Sequence, residues 1–230
     1  MPADSVREFA NNAVDPRVRG FLHTPAAPNN QGLILSHGAG SNAAAPLLAV
    51  LAETFAGAGF TVLRCDLPYR QTRSFGPPGP ADAARDRAGL AHALAAMRKI
   101  VSGRLILGGH SYGGRQSSML CAELAKQSPE ELPAVLLLLS YPLHPPRKPE
   151  QQRTQHLPDL RTPTLFVHGT RDPFGSIAEL EQAIKMIPAR TNLLTVEGAS
   201  HDLGFKGKAK QEELPTLILS ELTNFRDLSS

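Results

Sequence analysis

Leu107-Gly108-Gly109-His110-Ser111-Tyr112-Gly113-Gly114 is the stretch that decides the fold of this chain. The residues before it, Arg104-Leu105-Ile106-Leu107, form a short apolar run of the kind a buried strand uses. The residues after it, Arg115-Gln116-Ser117-Ser118-Met119-Leu120-Cys121-Ala122-Glu123-Leu124, read as a helix. A Gly-x-Ser-x-Gly between strand and helix is a sharp turn that lifts the serine hydroxyl above the sheet, the nucleophile elbow. The turn leaves no room for side chains two residues either side of the serine, and Gly109 and Gly113 fill those places. The five-residue pattern alone is weak evidence. Its strand-to-helix setting gives it weight.

Working outward, strand-like and helix-like segments alternate, which predicts an α/β fold with a mostly parallel sheet and helices on both faces. Residues 17–24 read as an edge strand, followed by strands at 32–37 and 60–65 with a helix at 45–58 between them. A Pro/Gly-rich loop containing Phe75-Gly76-Pro77-Pro78-Gly79-Pro80 leads into an Ala-rich helix at 81–101. Beyond the elbow a helix runs to about 127, with strands at 133–139, 164–168 and 191–196 and helices at 176–187 and 211–226. Residues 140–162 read as a surface loop with one helical turn, too short for a separate lid domain. Residues 1–230 are therefore expected to form a single domain without linkers.

Composition narrows the classes of function. The chain is 41% hydrophobic and 20% charged, with a net charge of +3. Its basic residues are scattered, so no nucleic-acid partner is expected. No apolar run approaches the roughly 20 residues that span a bilayer, and Ala134-Val135-Leu136-Leu137-Leu138-Leu139 suits a central strand instead. No membrane partner is expected. Cys65 and Cys121 sit in apolar segments, as buried thiols of a reducing compartment do. With no signal-peptide pattern at Met1–Glu8, a cytoplasmic location is expected.

A serine needs a base, and in this architecture the partners follow in the order Ser, Asp or Glu, then His. Asp172 lies just past the strand at 164–168, and His201 lies in the loop after the strand at 191–196. Both are carboxyl ends of strands, where parallel sheets build their sites. Asp172 precedes Pro173 and also fits a turn residue. Asp202 and Glu197 are rival orienters, too near His201 in sequence to approach its ring from the far side. His168 lies inside a strand and reads as a residue of the core or of the support around the site, and His110 as packing beside the elbow. His37, His144 and His156 show no metal-ligand spacing, so no metal and no cofactor are expected. The loop Ser36-His37-Gly38-Ala39-Gly40-Ser41-Asn42 is placed to supply a backbone N–H, assigned to Ala39, that joins the N–H of Tyr112 in an oxyanion hole. His37, Arg70 and Arg115 are candidate substrate contacts. Arg73, Arg147, Lys148 and Arg171 also fall in rim segments; solvated surface charge is the favoured reading of all these basic residues, and the other is that some converge on a carboxylate or phosphate of a short anionic ester.

These residues, from His37-Gly38-Ala39-Gly40 through Gly109–Gly113 and Asp172 to His201, resemble the α/β-hydrolase superfamily over nearly the whole chain. Tyr141-Pro142-Leu143-His144-Pro145-Pro146-Arg147-Lys148-Pro149-Glu150 and Gly169-Thr170-Arg171-Asp172-Pro173-Phe174-Gly175 are similar to a small dienelactone-hydrolase-like branch, the family of testis-expressed protein thirty and of a hydrolase-like subunit of the NSL acetyltransferase complex. Dienelactone hydrolases proper carry a cysteine nucleophile, where this chain has Ser111. The resemblance implies the fold and a Ser-His-Asp triad. The reading that follows is a serine esterase acting on small ester or thioester substrates, as monomer or homodimer. A binding or scaffold module on the same fold is the alternative. Haloperoxidase or acyl-transfer chemistry would use the same three residues.

Overall fold

The computed structural model describes residues 5–205 and 213–227. In chain order, strands β1 (Ser5–Asn11), β2 (Val18–Thr24) and β3 (Gly32–Ser36) precede helix α1 (Pro46–Gly57). Strand β4 (Thr61–Cys65) leads to α2 (Pro68–Thr72) and α3 (Asp82–Arg98). Then come β5 (Leu105–His110), α4 (Tyr112–Gln127), β6 (Val135–Leu139), β7 (Thr164–Gly169), α5 (Ile177–Ile184), β8 (Thr191–Val196) and α6 (Leu214–Asp227). The strands form one eight-stranded sheet in the order β1-β2-β4-β3-β5-β6-β7-β8. It is parallel from β4 to β8, while β2 runs antiparallel to both β1 and β4.

Runs such as Val135–Leu139 are apolar at every position because both faces of the sheet are covered. On one face Ile34, Leu107, Leu136, Leu138 and Phe166 pack with Leu90 and Met97 of α3, Leu120 of α4 and Leu180 of α5. On the other, Leu33, Leu35, Ile106, Leu137 and Val167 pack with Leu48 and Leu51 of α1 and Ile218 and Leu222 of α6. The alternation along each strand assigns successive residues to opposite cores. Cys65 and Cys121 are free and buried, and burial pushes both thiols up to about 12. Among the described residues, no helix is long and apolar enough to cross a membrane.

Three expectations need correction. Val18–Thr24 is not the edge: β1 lies outside it, paired from Ser5↔Thr24 to Asn11↔Val18. Both faces of β1 are largely exposed, so Ser-Val-Arg-Glu-Phe-Ala-Asn carries no apolar stripe. The segment after β4 is not all loop, since Pro68 starts the short helix α2. Several helices are shorter than expected: α1, α3 and α5 end at Gly57, Arg98 and Ile184. The expected start of the last helix, at 211, lies outside the described residues.

Candidate active site

The elbow forms where β5, at the centre of the sheet, meets α4. Ser111 adopts φ 52° and ψ −116°, a left-handed backbone that a non-glycine residue tolerates only when its surroundings enforce it. The enforcement is visible. Ser111 N–H donates to Leu139 O of β6 at 2.8 Å, and Arg115 N–H donates to Ser111 O at 2.9 Å. A Cβ on Gly109 would stand 2.3 Å from Ser36 Oγ, and one on Gly113 would stand 2.6 Å from His37 O. The two glycines let α4 start hard against β3 and β5.

Three side chains converge there. His201 Nε2 lies 2.8 Å from Ser111 Oγ, and His201 Nδ1 lies 2.8 Å from Asp172 Oδ2. A carboxylate only accepts, so Nδ1 carries the proton and Nε2 is free to accept from the serine hydroxyl. An imidazole so placed can take the hydroxyl proton while the carboxylate stabilises the resulting charge. Its ring is clamped. Phe174 stacks on it at 4.1 Å, and His110 Nε2 donates to the His201 carbonyl at 2.7 Å.

Asp172 is held just as firmly, its Oδ1 accepting from Phe174 N–H at 2.8 Å. His168 stands 3.7 Å behind Asp172 Oδ2 and donates from Nε2 to Gly175 O at 2.8 Å. Burial holds His168 below the ordinary histidine range, so it is a neutral support. Asp202 takes a different part, its Oδ1 accepting from Gly204 N–H at 3.1 Å within the turn that carries His201.

Tyr112 is the first residue of α4, where backbone N–H groups have no acceptor within the helix. The facing loop is locked by its carbonyls. Tyr69 Oη donates to Ala39 O at 2.8 Å, and Gly38 O accepts from His37 Nδ1 at 2.9 Å. In a trans peptide the N–H points opposite to the carbonyl. The Ala39 N–H therefore points away from the side where His37 holds Gly38 O.

Two expected substrate contacts are corrected. His37 is fully buried, with Nε2 accepting from Leu67 N–H at 3.1 Å, and burial lowers its basicity. Arg70 is turned inward and donates to the carbonyls of Ala39, Ser41, Arg73 and Gly76 at 2.8 to 3.2 Å. Both brace the loop at Ala39 from behind. Arg73 pairs with Asp82, while Arg147, Lys148 and Arg171 are exposed. Arg115 does reach a cleft.

Two clefts open at Ser111. One of about 260 Å³ is lined by residues including Gly40, Leu47, Phe174, His201 and Phe205. The other, about 390 Å³, runs past Ala39, Pro78, Tyr112, Arg115, Gln116 and Arg153. Among the described residues, no group of three or more His, Cys, Asp or Glu side chains could hold a metal ion.

Sequence reasoning missed Asp86. It is fully buried, and its Oδ2 accepts from Tyr112 Oη at 2.7 Å while its Oδ1 accepts from Tyr69 N–H at 3.0 Å. One carboxylate thus ties the residue after the nucleophile to the tyrosine that holds Ala39. Burial raises its carboxyl above the usual range, and those two bonds oppose the rise. The signal was there: Asp86 heads the apolar stripe Leu90-Ala93-Met97 of α3, an odd place for a charge.

A family model described as an alpha/beta hydrolase domain matches residues 29–224. The chain belongs to the alpha/beta hydrolase domain family. Several solved structures share this alpha/beta hydrolase fold. A dienelactone hydrolase from Anabaena variabilis is 20% identical with a TM-score of 0.73, over 97% of each chain. An alpha-beta serine hydrolase homologue from Coxiella burnetii is 18% identical with a TM-score of 0.68, over 94% of this chain and 97% of that one. A serine hydrolase without a lid from Xanthomonas campestris is 16% identical with a TM-score of 0.66, over 98% and 96%. A curated relative, the polyketide synthase ThaQ of Burkholderia thailandensis, is 48% identical over 48 residues, which are 21% of this chain and 2% of that protein.

Proposed function

We propose that the protein is a serine hydrolase of the carboxylesterase type, cleaving small ester or thioester substrates through an acyl-enzyme. The observation that carries this reading is the pair of 2.8 Å hydrogen bonds from Ser111 through His201 to Asp172. Ser111 Oγ attacks the carbonyl carbon as its proton passes to His201 Nε2. The N–H groups of Tyr112 and Ala39 receive the oxyanion, each worth a few kcal/mol in the transition state. As the tetrahedral intermediate collapses, the bond to the leaving oxygen or sulfur breaks and His201 returns the proton to it. Water then gives a proton to His201, attacks the acyl carbon and releases the acid, restoring Ser111. Asp172 keeps the imidazole in the tautomer this requires. Neighbours of the same fold described as serine hydrolases support the reading.

The test is turnover of nitrophenyl acetate by wild type and by Ser111→Ala. A loss on the order of a thousandfold or more, at an unchanged melting temperature, is expected. Variant activity above a tenth of wild type would refute the assignment.

A further inference from the structure

The wider cleft beside Ser111 is lined by two arginines and a glutamine. Arg115 lies one helical turn past Ser111 on α4, and its Nε is buried without a partner. Arg153 enters the same cleft from the segment between β6 and β7. That segment is fixed: Tyr141 Oη donates to Arg153 O at 2.6 Å, Arg153 N–H donates to Leu143 O at 2.8 Å, and Arg153 Nη1 donates to Pro142 O at 3.2 Å. Gln116 lines the cleft and is fully buried. Its Oε1 accepts from Arg87 Nη1 at 3.1 Å, which leaves the amide nitrogen as a buried donor without a partner.

Among the described residues no Asp or Glu lines the cleft, and neither Arg115 nor Arg153 is in an ion pair. Nearby carboxylates are engaged elsewhere, Glu123 with Arg87 at 2.8 Å and Asp159 with Lys126 at 2.6 Å. The Tyr141 hydroxyl accepts a hydrogen bond from the Arg115 side chain but supplies no charge, because burial pushes its phenol up to about 12. Arg153 is held below its ordinary value by burial, and next by the charge of Arg115. Two cations facing one cleft repel each other, and a buried N–H without an acceptor costs free energy. An anion between the guanidinium groups relieves the repulsion, and a carboxylate matches the planar arginine fork.

We propose that the Arg115–Arg153–Gln116 cleft is an anion subsite that holds a carboxylate carried by the substrate, with the scissile carbonyl at Ser111. The substrate is then a short ester or thioester bearing a free carboxylate. The assignment rests on the serine-hydrolase reading and narrows it.

Specificity constants for mono-nitrophenyl adipate and for nitrophenyl hexanoate test the subsite through turnover. Wild type is expected to favour the anionic ester. Arg115→Met and Arg153→Met should each cut the ratio by roughly tenfold to a hundredfold, the value of a hydrogen bond to a charged group, and Arg115→Lys should cut it less. Binding reads the subsite without turnover. Calorimetry on Ser111→Ala should detect monomethyl adipate and not methyl hexanoate, with the affinity lost when Arg115→Met or Arg153→Met is added. Binding that follows this pattern in a protein that cleaves no ester would sink the hydrolase reading and keep the subsite. Equal handling of anionic and neutral molecules, or a preference untouched by both Met substitutions, would overturn the proposal.

Discussion

At the scale of single residues, Asp172 and His201 lie 61 and 90 positions after Ser111 in sequence, yet the three close two hydrogen bonds of 2.8 Å. Asp172 takes the outer place, and Asp202 serves its own turn. Asp172→Asn keeps the shape but presents an amide to His201 Nδ1, which favours the tautomer that cannot accept from Ser111. Turnover of nitrophenyl acetate near neutral pH should fall by roughly a thousandfold or more. Asp202→Asn should cost far less, and the reverse order in steady-state kinetics would contradict the assignment. These three residues were legible because each follows a recognisable strand. His37 and Arg70 were placed in the right neighbourhood but misread, since sequence gives a residue's distance from the elbow and not the direction of its side chain. Gln116 and Arg153 gave no signal at all: they share a cleft only because α4 meets a segment more than thirty residues on.

At the scale of elements, the connection between β6 and β7 was expected as a surface loop. Its sequence is Pro-rich and polar, but Leu157 and Leu160 are buried and His156 docks on α4 with Nε2 2.8 Å from Ser118 Oγ. That docking has a pH signature. Burial, then the charges of Arg115 and Arg87, lower His156 from 6.5 to about 4, against a weaker opposing pull from Asp159. Between those values the unfolded chain binds a proton that the folded chain refuses, so acidification favours unfolding. The stability present above pH 6.5 is lost as pH falls toward about 4, by about 3 kcal/mol at most. Urea unfolding at pH 7 and pH 4.5 should show wild type losing more stability than His156→Gln. Equal losses would mean that His156 is not held neutral. The β1 strand was invisible for a related reason: its exposed, polar residues carry no burial pattern, and only pairing with β2 makes it a strand.

At the scale of the whole molecule, the alternation of apolar strands and helices made the sheet legible, because a parallel sheet covered on both faces writes itself as continuous apolar runs. The sheet brings the ends of β3, β5, β7 and β8 together, and each end contributes one part of the site. The two clefts at Ser111 have volumes of about 260 and 390 Å³, dimensions of a short acyl chain and its leaving group. Neither suits a long lipid chain. Specificity constants should therefore be higher for acetyl and butyryl esters than for palmitoyl esters of the same alcohol, and a palmitoyl preference would contradict the cleft geometry.

The central claim is that Ser111 is an activated nucleophile rather than a buried hydroxyl, and covalent labelling by a fluorophosphonate tests it most directly. Intact-mass measurement should show one adduct per chain, and peptide mapping should place it on Ser111. The adduct should be absent in Ser111→Ala and form much more slowly in Asp172→Asn. A folded wild-type protein that takes no label, or takes it at another residue, would contradict the account.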